Sequence, residues 1–352
     1  MRIWEGLHAL ATRLGTHTLT GQTAVIVGAS RGLGLVLARQ LALAGCKLAI
    51  CARDASELER ARRELVSSGT AVFARPIDAS RRDQVEDFVN ATLRRFGSLD
   101  MLITCAASLE VGPLEMMSAS DVEQAFEQVF WTAYHPTMAV LPHMRTRRAG
   151  RIVHVSSVGG GLGMPHMMPY CTAKSALTGF SSSLRAEVAK DGVSVTTVMP
   201  GLLRTGSHVR ATMRGQREKE YLWFATGANL PLTSLSAERA ARRILRAAAL
   251  RRAETTLTLG TRLLVIANAV APNLMARVLA FQDRLLPSAS EGSLVAQTGR
   301  DVAAESSSRL VRAVEAYGHT NAVAHGELPR EERMPLTSSP SSLLRVSSGS
   351  AN

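Results

Sequence analysis

A chain of 352 residues holds one large α/β domain or two ordinary ones. Hydrophobic residues at 46% and charged residues at 20% make a globular balance, which excludes a wholly disordered chain. The net charge of +12 comes almost entirely from arginine, scattered in pairs such as Arg62–Arg63 and Arg242–Arg243 with no aromatic-interleaved basic stripe, so no nucleic-acid partner is expected.

Residues 1–20 read as a short helix with Ile3, Leu7, Leu10 and Leu14 on one side. That stripe fits a helix packed on the domain or on a partner; peripheral membrane contact is the other reading. The chain opens without a signal-peptide pattern. No apolar run reaches the ~18 residues that a spanning helix needs. Cys46, Cys51, Cys105 and Cys171 show no CxxC spacing, which fits a reducing, cytoplasmic setting.

From residue 21, apolar runs alternate with helical patterns. Thr23–Val27 reads as the first strand, and Leu33 to about Ala44 as the helix that follows. Lys47–Cys51, Ala71–Pro76, Leu99–Thr104, Arg151–Ser156 and Ser194–Met199 read as further strands, with Thr255–Leu259 a late seventh. Helices are predicted over Ser56–Ser67, about Arg81–Phe96, Ala119 to about Arg147, and Tyr170–Ala189. This alternation predicts a Rossmann-type α/β fold over residues 21–260, a doubly wound parallel sheet of about seven strands with helices on both faces. Such sheets bind ligands at the carboxyl ends of their strands. Residues 261–287 predict a helical extension that stops at Pro287. Residues 288–352 are rich in Ser, Ala and Arg with few large apolar groups, and read as a largely disordered tail.

The first strand runs into Gly28-Ala29-Ser30-Arg31-Gly32-Leu33-Gly34. Glycines there let backbone amides approach a pyrophosphate and let the next helix pack near the strand. Tyr170 and Lys174 stand four apart at the start of a helix and so share a face. An ammonium beside a phenol stabilises the phenolate and lowers its pKa. His135, His154 and His166 lack paired ligand spacing, so no metal is expected.

The glycine turn, the thirteen-residue interval from Ser157 to Tyr170, the YxxxK pair and Pro200-Gly201 together resemble the short-chain dehydrogenase/reductase family over residues 20–260. The resemblance implies that Tyr170 exchanges a proton with the substrate oxygen while hydride passes to or from nicotinamide. It further implies that Lys174 tunes Tyr170 and holds the nicotinamide ribose, and that Ser157 hydrogen-bonds the reacting oxygen. Pro200, Gly201 and Thr205 match the segment that closes on the nicotinamide, Asp78 the adenine contact, and Ala106 the turn after the fourth strand.

The cofactor expectation is NADP(H). An NAD enzyme places a carboxylate after the second strand. Here that strand ends Cys51-Ala52-Arg53, and Arg53 with Arg31 can flank a 2′-phosphate as fixed charges; two solvated arginines are the alternative. Two departures from the family pattern stand out. Thr104-Cys105-Ala106-Ala107 replaces Asn-Asn-Ala-Gly, and Val129 stands where the family has a catalytic asparagine. These departures keep a second reading open, an NADP(H)-binding module with weak or no catalysis. The stretch between Gly206 and Ser236, where the family places its substrate lid, carries Met213, Tyr221, Leu222, Trp223, Phe224 and Leu230. These residues either form an apolar pocket for a lipophilic carbonyl or alcohol or only pack the lid. A homo-oligomer is expected, and membrane contact by the two ends of the chain stays open.

Overall fold

The computed structural model describes residues 19–289 and 292–329. The predicted helix at residues 1–20 therefore lies almost wholly outside the described residues. The central sheet starts with β1 (Thr23–Val27), five residues that are all buried. A run of this kind suits a strand covered on both faces. Helix α1 (Gly32–Leu43) follows, then β2 (Lys47–Ala52), α2 (Ala55–Ser67), β3 (Val72–Pro76), α3 (Arg82–Phe96) and β4 (Met101–Thr104). After β4 the chain continues through β6 (Gly150–Val155), β7 (Val193–Met199) and β11 (Glu254–Thr256) to complete seven strands in the order β11-β7-β6-β4-β1-β2-β3. All neighbouring pairs are parallel. The predicted Rossmann-type sheet is present.

The chain winds outward from β1 to β3 on one side and from β4 to β11 on the other. Val27 pairs with Cys51 on one flank and Thr104 on the other, so the crevice at this reversal opens beside the end of β1. Two apolar cores cover the sheet. One joins Ile26, Leu37, Leu41 and Ile50 to Ile244; the other joins Val25, Phe88, Leu102 and Ile152 to Val195.

The single helix predicted from Ala119 to about Arg147 is interrupted. Ala119–Ala125 (α4) and Thr132–Thr146 (α5) flank a wide π-type turn at Phe126–Trp131. Pro136 lies inside α5 and cannot donate to the carbonyl one turn back. Within the widened turn the Thr132 hydroxyl donates to the carbonyls of Gln128 (3.0 Å) and Val129 (3.3 Å).

Helix α6 (Met168–Val188) follows β6, beginning two residues before Tyr170. A cover lies over the carboxyl ends of the strands. It includes the two-stranded sheet of β8 (Leu202–Arg204) and β10 (Ser234–Ser236), and the helix α7 (Arg217–Asn229). Helix α8 (Ala237–Ala249) packs on α1, and two helices follow, α9 (Leu259–Val270) and α10 (Pro272–Asp283).

The expectation of disorder over residues 288–352 needs correction for residues 292–329; residues 330–352 lie outside the described residues. Ser293–Thr298 is a strand, β12, which joins β9 (Thr212–Gly215) and β5 (Glu110–Val111) in a three-stranded sheet. Helices α11 (Gly299–Glu305) and α12 (Arg309–Ala324) follow. The few apolar residues of this segment are well placed: Val302, Ala303 and Val311 are buried against Met213, Tyr221 and Phe224 of the cover. Small residues let backbones meet closely, and a side chain at Gly318 would run into His208 and Asn229. Polar contacts to the main domain, such as the hydrogen bond between His325 Nε2 and Glu238 Oε1 at 2.8 Å, add to the attachment.

Candidate active site

A cleft of about 530 Å³ opens at the carboxyl ends of β1, β4 and β6. The residues matched to the family's catalytic and cofactor positions line it: Gly28, Ser30 to Gly34, Arg53, Asp78, Ala106, Ser157, Tyr170, Lys174, Pro200, Gly201 and Thr205.

The glycine turn is shaped by contact. Gly28 has φ +82°, and a Cβ there would lie 2.7 Å from the Ala106 backbone. At Gly34 a Cβ would stand 1.9 Å from the Gly28 carbonyl oxygen, which only glycine tolerates. The amides that open α1 therefore face the cleft as a potential anion site.

At the far end of the cleft, β6 leads into Ser156 and Ser157, which take different tasks. Ser156 Oγ donates to the Lys174 carbonyl (3.1 Å) and shares a hydrogen bond with Thr178 (2.8 Å), anchoring α6 to the strand end. Ser157 Oγ accepts from the Gly159 amide at 3.1 Å and hydrogen-bonds the Tyr170 phenol. Lys174 is buried; its Nζ donates to the Val155 carbonyl at 2.8 Å and lies 5.6 Å from the centre of the Tyr170 ring. Val158 N donates to Pro200 O at 2.8 Å, tying this turn to the Pro200-Gly201 segment.

Burial dominates the titration of this group. It pushes Tyr170 up to about 12, with the Ser157 hydrogen bond opposing, and pulls Lys174 down to about 8. The phenol is thus a protonated donor at neutral pH. Cys105, standing where the family has asparagine, lines the cleft, and burial pushes its thiol up to about 11. Val129 offers no polar group: it is buried in a cluster with Ala125, Ala173 and Tyr170. The π-type turn brings its neighbour Gln128 to the cleft wall instead. A sequence count along a regular helix could not register that shift.

The arginines read from the sequence as flanking a 2′-phosphate sit in other surroundings than that reading supposed. Arg53 is exposed at the cleft edge. Arg31 forms ion pairs with Glu57 of α2 and with Glu327 near the C-terminus. Arg210 also bonds Glu57, at 2.9 Å. Glu327 and Arg210 both line the cleft, and nothing local in the sequence signalled either. Asp54 is the N-cap of α2, accepting from Glu57 N at 2.8 Å. Asp78 Oδ1 accepts from Ser80 N (3.0 Å) and Oγ (2.8 Å) in a turn before α3.

On the cover, Met164, Met167, Leu202, Trp223, Phe224 and Ala228 face the cleft. Met213 and Tyr221 are fully buried in the cover's own core, and Leu230 is exposed. His166 Nδ1 and Trp223 Nε1 both bond the buried Glu220, at 2.8 and 2.7 Å, which fixes Trp223 over the opening. No helix among the described residues is long and apolar enough to cross a membrane.

The fold and cleft define a doubly wound α/β protein with a glycine-rich turn and a Ser–Tyr–Lys group at the strand ends. The family model for short chain dehydrogenases matches residues 22–214, just over half of the chain, and the protein belongs to that family. It is 37% identical over 199 residues to a dehydrogenase/reductase SDR family protein 7-like from Anopheles gambiae, covering 55% of this chain and 62% of the relative. Human dehydrogenase/reductase SDR family member 7 is 34% identical, with 56% and 58% covered. A 3-oxoacyl-[acyl-carrier-protein] reductase from Synechocystis sp. is 30% identical, with 53% and 76% covered. The match thus spans less than two thirds of the SDR family 7-type relatives.

Proposed function

We propose that the chain is an NADP(H)-dependent oxidoreductase that interconverts a carbonyl and an alcohol, acting on a lipophilic substrate. One observation carries the reading. Ser157, Tyr170 and Lys174 converge in the same cleft as the glycine turn.

The residues present suit a dinucleotide. The amides that open α1 and the close approach of Gly28 and Gly34 form a cradle for a diphosphate. Arg53, Arg31 and Arg210 surround the end where a 2′-phosphate would lie. When bound, the nicotinamide would supply or accept hydride. Tyr170 gives its phenolic proton to the reduced oxygen, or takes one back in the reverse direction. Ser157 hydrogen-bonds that oxygen and orients Tyr170. Lys174, charged below about pH 8, offsets the charge that develops on the phenol. Gln128 is the polar side chain of the π-type turn that can serve a proton route in place of asparagine. Trp223, Phe224 and the methionines of the cover exclude water and favour an apolar substrate.

We further propose a cytoplasmic homo-oligomer, a setting in which the free Cys46, Cys51, Cys105 and Cys171 stay reduced. The exposed Leu263, Ile266, Val270, Leu274 and Phe281 of α9 and α10 support peripheral membrane contact as well.

A second reading, a cofactor-binding module without turnover, draws support from Val129 and from the carboxylates that already hold Arg31. The test is a panel of carbonyl and alcohol substrates followed by NADPH absorbance. Turnover of any member supports the enzyme. NADPH binding without turnover across the panel supports the module.

A further inference from the structure

The C-terminal segment reaches back into the cleft. After α12 the chain turns at Gly326 (φ +74°) and lies along the glycine turn. The His325 carbonyl accepts from the Gly32 amide at 2.7 Å. That amide belongs to the first turn of α1, where an unpaired N–H and the helix dipole attract an anion. Glu327 comes two residues later. Its carboxylate is nearly fully buried, with Oε2 3.1 Å from Arg31 Nε. A methyl group placed on Gly32 would lie 2.7 Å from Oε1. Oε2 makes no hydrogen bond among the described residues. A buried anion thus occupies the arginine that a cofactor phosphate would use.

The attachment of this strap is polar. Arg60 Nη2 donates to Gly326 O (3.0 Å), Arg39 Nη1 to Ala324 O (2.9 Å) and Arg210 Nη2 to Glu327 O (3.1 Å). Its buried apolar groups are few, Ala322 and Leu328 against Val209. A segment held this way can open locally without disturbing the main cores.

We propose that residues 322–328 gate the cofactor site: Glu327 holds Arg31 in competition with the phosphate of NADP(H), and the strap leaves the glycine turn when the dinucleotide seats. The proposal rests on the cofactor reading above. The groups facing Glu327 fit such a gate. Burial pushes its pKa up to about 7, Arg31, Arg210 and His325 oppose, and Glu57 adds to the rise. Near neutral pH a single proton therefore sets how firmly the strap is held. Glu57 keeps its own contact with Arg31, so the guanidinium stays oriented after Glu327 departs.

The test uses the full chain and two measurements. NADPH and NADH are titrated into wild type and Glu327→Gln by nucleotide fluorescence, and amide exchange over residues 318–328 is followed with and without NADPH. Glu327→Gln is expected to bind NADPH about tenfold more tightly and to gain less for NADH, which shares the freed Gly32 amide but has no 2′-phosphate for Arg31. In wild type, NADPH is expected to speed exchange in the strap. Unchanged or weaker NADPH binding by Glu327→Gln overturns the gate, as does a strap better protected with NADPH than without. If the variant does not fold, exchange in wild type decides. If neither protein binds either dinucleotide, the cofactor reading fails and the gate falls with it. If both bind NADPH equally, the cofactor reading stands and only the gate is lost.

Discussion

Tyr170→Phe isolates the proton donor. The substitution removes one hydroxyl and leaves the ring, which packs on Ala125, Val129 and Ala173. The structural loss is the hydrogen bond with Ser157, a net contribution of about 0.5–1.5 kcal/mol. Ser157 Oγ keeps the Gly159 amide as a partner at 3.1 Å, so no buried hydroxyl is stranded. Thermal stability should therefore fall by only about 1–6 °C for a domain of this size. The chemical loss is larger. With the phenol pushed up to about 12, the group acts as a protonated acid, and deleting a positioned general acid costs about 10²–10⁴-fold in turnover. NADPH affinity should stay within about threefold, because the phosphate end of the cleft is built by the glycine turn rather than by Tyr170. The assays are NADPH oxidation on the best carbonyl substrate, fluorescence titration of NADPH and a thermal melt. A variant within about tenfold of wild-type turnover would refute the acid role. Lost NADPH binding with a normal melt would show that Tyr170 holds the cofactor instead.

Three further outcomes are expected. Arg53→Ala should weaken NADPH about two- to fivefold and leave NADH nearly unchanged; the effect is small because Arg53 is exposed and its contacts are screened, and isothermal titration of both nucleotides checks it. Carbonyl reduction should decline as pH rises through about 8, because desolvation lowers the Lys174 pKa to about 8 and the ammonium is lost above it; a rate profile flat to pH 10 would remove Lys174 from the mechanism. Val129→Asn should not restore activity but destabilise by about 1–3 kcal/mol, since the amide would be buried among Ala125, Ala173 and Tyr170 without a partner; a denaturant melt with no shift in midpoint would show that the cluster makes room.

Local pattern carried much of this protein. The strand–helix alternation prescribed a parallel sheet because only helices on both faces can cover such apolar strands as Thr23–Val27. The glycine turn and the Tyr170–Lys174 pair were legible because their chemistry depends on residues close in sequence, on one turn and one helical face. Tertiary structure decided what depends on residues far apart. Glu327 meets Arg31 across nearly three hundred positions, so the neutralised arginine had no local signature. The widened turn at Phe126–Trp131 moved Gln128 to the cleft and Val129 into the core, against a regular helical count. Composition marked residues 288–352 as too poor in large apolar groups to order themselves. Residues 293–328 of that stretch are ordered because a preformed surface supplies the partners, apolar for Val302 and Val311 and charged for His325 and Glu327.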